Sequence, residues 1–314
     1  MFVVKKEIFG PFQKYILSHP DSKASAGIIP AYGGNVSELG LSKGKRVHSV
    51  LDGNSTYHKL MEDEAYKGAH LIPFSSRIEN GIYTFQGKTY QLPLNKPDEG
   101  HALHGFLNNQ PFEVVNVTEH KDFAALELSY IYNGYVPGYP FVFRLGMLYT
   151  LSAEGFKLET MVVNTGNEDM PYSYGWHPYL TFSNPVDELY LQLPASKSVV
   201  FNERLIPTGE MITDERFIKP AQIGNTKLDN GYLIETEGMA EARLYSKEKD
   251  LSIHIWLETG DQKFRYLQIY TPPHRKSIAI EPVTSQTNAF NNGKDLIVLK
   301  PGEVFSASCG IYLS

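Results

Sequence analysis

Two side chains in this sequence are suited to moving protons: His177, in Gly175-Trp176-His177-Pro178-Tyr179, and Glu281, in Ile280-Glu281-Pro282. An imidazole titrates near neutral pH, with an ordinary pKa of about 6.5, and a carboxylate is ionised there. Such a pair can deliver a proton to one oxygen of a hemiacetal while removing one from its neighbour, which is what opening a sugar ring requires. A proline follows each residue and disfavours helical backbone before it, so both are expected at strand ends, facing a pocket. Each also has a plainer reading. His177 fits as a packed histidine among Tyr172, Tyr174, Trp176 and Tyr179, and Glu281 as a surface acid at a strand-to-loop boundary.

Further polar residues have the chemistry to hold a sugar. Arg77 precedes an Asn80-Gly81 turn, where its guanidinium is placed either to donate paired hydrogen bonds to hydroxyls or to bridge to Glu79 or another acid. His101 and His104 are three apart with no third ligand nearby, which leaves a metal site unsupported and favours His104 as a substrate hydrogen-bonding group. Asp229-Asn230-Gly231 reads equally as a hairpin turn or as part of a site. His254 falls on the polar face of its strand and is expected to be structural or exposed. The one cysteine, Cys309, excludes internal disulfides and thiolate-rich metal sites, and its strand context marks it as an inert core thiol.

The elements that must position these residues are strands. Apolar residues alternate at Phe143, Leu145, Met147, Tyr149 and Leu151, at Leu251, Ile253, Ile255 and Leu257, and from Phe305 to Leu313. Similar segments lie at 124–132, 157–164, 189–193, 265–270 and 277–280, separated by Gly, Pro, Asn and Asp. Only Tyr57–Tyr66 has helix-forming composition. No fixed-period repeat, low-complexity tract or linker interrupts the chain, so one all-β domain over residues 1–314, a large antiparallel β-sandwich with few short helices, is the expected architecture.

Composition narrows the partners. With 42% hydrophobic and 12% aromatic residues, 314 residues can bury a large core. The formal net charge is -6, and the densest basic run is Lys43-Gly44-Lys45-Arg46, which offers no electrostatic footprint for nucleic acid or an anionic membrane. No stretch is apolar enough for a signal peptide or a membrane span, so a cytoplasmic monomer or homodimer is expected. Dinucleotide, NTP, serine-hydrolase and zincin motifs are all missing.

Taken together, Ser76-Arg77-Ile78-x-Asn80-Gly81, Leu103-His104-Gly105, Gly175-x-His177-Pro178-Tyr179, Leu228-Asp229-x-x-Tyr232, Gln268-x-Tyr270-Thr271 and Ile280-Glu281-Pro282 occur in the order and approximate spacing of the aldose 1-epimerase (galactose mutarotase) family. The resemblance spans about Gly27 to Tyr312. It implies a β-supersandwich with an open cleft, His177 as general acid, Glu281 as general base, and Arg77, His104, Asp229 and Tyr270 as sugar-binding residues, with no cofactor and a small sugar as substrate. Ser76, Phe106 and Leu180-Thr181-Phe182 depart from the commonest family pattern, which bears on which sugar is bound. The expected activity is interconversion of α and β anomers of an aldose. The alternatives are an epimerase of a phosphorylated or sulfonated hexose, a carbohydrate-binding protein without turnover, and a glycoside hydrolase using Asp229 and Glu281.

Overall fold

Buried and half-buried side chains alternate along Val142–Ser152 and Gly155–Asn164, as the period-two pattern predicts. The structure, a computed structural model, describes residues 1–314. Strand takes 52% of the residues and helix 4%, so nearly all of the backbone that positions the site is extended.

Three sheets account for most strands. The N-terminal part is a five-stranded meander, Val3–Phe9 through Arg46–Ser49. A nine-stranded antiparallel sheet runs from Glu113–Glu119 at one edge, and Val304–Leu313 is inserted in its interior between Gly155–Asn164 and Leu251–Thr259. The third sheet orders Pro207–Thr213, Lys197–Phe201, Asp229–Leu233, Tyr266–Tyr270, Ile278–Val283, Gly175–Trp176 and His70–Leu71, with Tyr179–Leu180 also pairing to Ile278–Val283. One apolar cluster of 68 buried residues joins all three sheets, and aromatic contacts such as Phe156 with Trp176 bind the two large ones together. Cys309 is fully buried in this cluster.

Three local expectations change, and that for His254 is met. The helix covers only Tyr57–Met61: Thr56 caps its start, and Asp63 captures the backbone N–H groups of Ala65 and Lys67, which ends helical pairing. Asp229-Asn230-Gly231 is not a hairpin turn but the start of a strand registered on Tyr270, Ile269 and Gln268. His254 is structural, bonded to Glu241 and Ser314. Glu281 does not end its strand, which continues through Pro282 to Val283. The proline is tolerated because its N–H position faces the neighbouring chain where that chain is broken at His177-Pro178.

Candidate active site

Strand Ile278–Val283 is buried along its whole length because both of its faces are covered. Ile278 and Ile280 point into the core, while Glu281 and Val283 point the other way, into an open cleft of about 510 Å³. Register fixes what stands beside them. Glu281 pairs with Gln268 and Gln268 with Gly231, while Ala279 pairs with both Tyr179 and Tyr270, and Tyr270 with Asp229. Two cross-strand rows on one face therefore floor the cleft. Gly231 keeps its row open, since a Cβ there would lie 3.1 Å from the Gln268 side-chain oxygen.

His177 sits in the gap between Gly175–Trp176 and Tyr179–Leu180. Its N–H donates to Ala69 O at 3.0 Å and its carbonyl accepts from Gly68 N–H at 2.9 Å. Its Nε2 lies 3.3 Å from Glu281 Oε1, with the side chains 6% and 3% exposed. That degree of burial governs both charges. Loss of solvent lowers the His177 pKa from 6.5 to about 3 and raises that of Glu281 well above its ordinary value, with Asp229 adding to the rise and Arg77 opposing it. Burial thus favours the neutral form of each group, imidazole and carboxyl, over the ion pair that the sequence suggests.

The other sequence-derived residues line the same cleft: Arg77, His104, Asp229 and Tyr270. His104 occupies a left-handed position, φ 59°, in the turn before Gly105, and its Nδ1 donates to Ser75 O at 3.0 Å, leaving Nε2 as an acceptor. Burial and the adjacent His177 hold its pKa well down. Arg77 does pair with an acid, Glu99 rather than Glu79, through Nε at 2.9 Å. Its two terminal amino groups have no protein acceptor. Asp229 accepts from Gln268 Nε2 at 3.0 Å through one oxygen, leaving the other free. Its carboxyl pKa is raised, first by desolvation within the cleft walls. His101 takes no part: its ring bonds Asn80 N–H and Arg204 O.

Sequence reasoning missed several cleft residues. Gln268 was legible as lying two positions before Tyr270 on the same strand face. Tyr179 was named only as part of a motif. Glu99, Lys96, Phe201 and Leu205 come from loops or from a strand distant in sequence, and nothing local announces them. Of the departures from the family pattern, only Ser76 lines the cleft. Phe106 packs on Phe74, Tyr132 and Tyr139, and Leu180 and Phe182 lie in the core.

Comparison with known proteins shows the family and the fold. Residues 13–312 match the family model of aldose 1-epimerase. The chain belongs to the aldose 1-epimerase family. Among its relatives, the uncharacterized protein YihR of Escherichia coli (strain K12) is 32% identical over 258 residues, 79% of each chain. The human galactose mutarotase is 25% identical over 198 residues, 60% of this chain and 56% of that one. A galactose mutarotase-like protein from Clostridium acetobutylicum superposes with a TM-score of 0.88 at 23% identity, covering 100% of this chain and 98% of that chain, which establishes the galactose mutarotase fold.

Proposed function

We propose that the protein is a mutarotase, interconverting the α and β anomers of an uncharged aldose. The observation that carries this reading is the buried contact of His177 Nε2 with Glu281 Oε1 at 3.3 Å on the floor of a polar cleft. One proton moved from Glu281 to His177 converts the neutral pair into carboxylate and imidazolium. Glu281 then takes the proton of the C1 hydroxyl as His177 gives its proton to the ring oxygen. The C1–O5 bond breaks, the aldehyde rotates about C1–C2, and closure on the other face reverses both transfers. The proton count is conserved and no redox step occurs, so the reaction calls for no cofactor. Arg77, His104 and Asp229 hold the hydroxyls and Tyr270 packs against the ring.

An uncharged substrate is favoured because Lys96 lies 4.0 Å from Glu64 and Arg77 is held by Glu99, while Asp229 and Glu281 add carboxyls to the same cleft. A hydrolytic reading would need Asp229 as the partner of Glu281, whereas the group that Glu281 contacts is the His177 imidazole at 3.3 Å, the pairing that ring opening uses.

The test is two-dimensional exchange NMR of anomer interconversion, starting from α-D-glucose and α-D-galactose and from hexoses carrying a 6-phosphate or 6-sulfonate. Acceleration with a neutral sugar supports the proposal. Acceleration with charged sugars alone moves the substrate class, and binding without exchange for any sugar overturns the catalytic reading.

A further inference from the structure

His177 lacks the hydrogen bond that ordinarily fixes a proton-transferring imidazole. Its Nδ1 is buried with no hydrogen-bond partner on another residue, its own backbone being the polar group beside it, so no carbonyl or carboxylate from elsewhere in the chain sets the ring plane from behind. Backbone hydrogen bonds hold its main chain, and Pro178 restrains the next φ, but neither controls rotation about the side-chain bonds. Two rings do. Tyr179 lies parallel to the imidazole, with centroids 5.0 Å apart and planes at 15°, and His104 meets it edge-on at 5.5 Å and 83°.

Tyr179 is itself braced. It is 2% exposed, its strand partner is Ala279, and its carbonyl accepts from Asp52 N–H at 2.9 Å. The Lys67 ammonium stands 5.9 Å from its ring centroid. That ammonium is tied to Asp52 Oδ2 at 2.8 Å, and Ser277 Oγ donates to the same oxygen at 2.7 Å. Lys67 is also anchored through its backbone N–H, which donates to Asp63 at 2.7 Å. A buried ring, a cation beside it, the Asp52 carboxylate holding that cation and the Asp63 carboxylate holding the Lys67 backbone make a rigid backing for the imidazole.

We propose that Tyr179, backed by Lys67 and Asp52, is a positioning residue that holds the His177 imidazole in the plane from which Nε2 reaches Glu281. This rests on the reading of His177 as the proton carrier. The plane and the choice of ring face have separate origins. Stacking on Tyr179 sets the plane, and the contact with Glu281 selects, of the two orientations in that plane, the one with Nε2 rather than Cε1 toward the carboxyl. The same stacking serves the charged intermediate, because the face of an aromatic ring attracts the imidazolium once His177 has taken its proton.

The experiment compares Tyr179→Leu, Tyr179→Phe and Lys67→Met with the wild type by two readouts. In anomer exchange with the aldose that the wild type turns over, Tyr179→Leu lowers kcat by about 10- to 100-fold with KM changed less than about threefold, and Tyr179→Phe recovers most of that loss. In nitrogen-15 spectra of the His177 ring, assigned by their disappearance in His177→Asn, the wild type and Tyr179→Phe give one sharp set of signals, whereas Tyr179→Leu gives broadened, averaged ones. Wild-type kcat and an unchanged spectrum in Tyr179→Leu overturn the proposal. So does an equal loss in Tyr179→Phe, which transfers the effect to the hydroxyl. If Tyr179→Leu does not fold, Lys67→Met decides, and an unchanged kcat and His177 spectrum there overturn the brace. If the wild type accelerates no aldose, the mutarotase reading fails, while the ring spectra still decide whether Tyr179 holds His177.

Discussion

Glu281 Oε1 lies 3.3 Å from His177 Nε2 with both side chains almost wholly buried, so the proton affinity of each group depends on the state of the other. A pair of this kind acts as a unit. His177→Asn and Glu281→Gln are each expected to slow anomer exchange by about two to four orders of magnitude, and the double variant to be slower than either by less than about tenfold, because the second loss removes a partner already without a role. Exchange NMR on the three variants measures this, and multiplicative losses would mean that the residues act separately.

The same burial makes stability depend on pH in opposite directions at the two residues. Glu281 binds its proton more tightly folded than unfolded, so its contribution is full below about 4.5 and is lost as the pH rises. His177, lowered from 6.5 to about 3, contributes fully above 6.5 and loses that contribution as the pH falls toward 3. Glu281→Gln should therefore melt higher than the wild type at pH 8 and converge with it near pH 4. His177→Asn should gain relative to the wild type on acidification below 6.5. Calorimetry across pH 4 to 8 checks both signs.

Asp229 has one oxygen held by Gln268 and one free toward the cleft. Replacing it with Asn removes a charge-assisted hydrogen bond of about 1.5–3 kcal/mol, which predicts a loss in kcat/KM of roughly 10- to 100-fold without a change in fold. Steady-state kinetics with the preferred aldose measures it.

Arg204 joins the loop before Ile206 to the Arg77 region, donating to Glu79 Oε1 and Asn80 Oδ1, both at 2.8 Å. This latch holds Leu205 and Phe201 as one wall of the cleft. The pair is largely exposed, so Arg204→Ala should cost under about 1 kcal/mol of stability. Freeing the wall should raise KM by about two- to tenfold, the cost of reordering it on binding. Unchanged KM would dissociate the latch from the site.

Gly105 has φ 72°, and a Cβ there would run into the backbone of Ile72, which bridges to it. Gly105→Ala combines a strained dihedral with a clash, and should destabilise by on the order of 3 kcal/mol while displacing His104, read as a lower Tm and a raised KM.

The strand from Phe143 to Leu151 was legible because it buries one face and leaves the other partly exposed, which writes a period of two into the sequence; Phe305 to Ile311 kept that period although both its faces are largely buried, because its second face carries Ser306, Ser308 and Gly310. Ile278–Val283 was read shorter than it is because both its faces are covered, which erases the alternation, and because Pro282 resembled an end. The six candidate residues were found through short motifs and do converge on one cleft, His177 and Glu281 in contact. What stayed hidden depended on pairing between segments far apart in sequence: Glu99 beside Arg77, Arg204 beside Glu79, and Lys67 behind Tyr179. A charged residue in a loop carries no mark of the partner it will meet.

The strand Val304–Leu313 closes the nine-stranded sheet from its interior rather than extending an edge. Until those residues are available, Gly155–Asn164 and Leu251–Thr259 present two unpaired edges that face each other, and the sheet exists as halves. Because the central strand follows both of its neighbours in the chain, the large sheet closes only once that strand has been made, and until then the nascent chain carries edges prone to pairing with other chains.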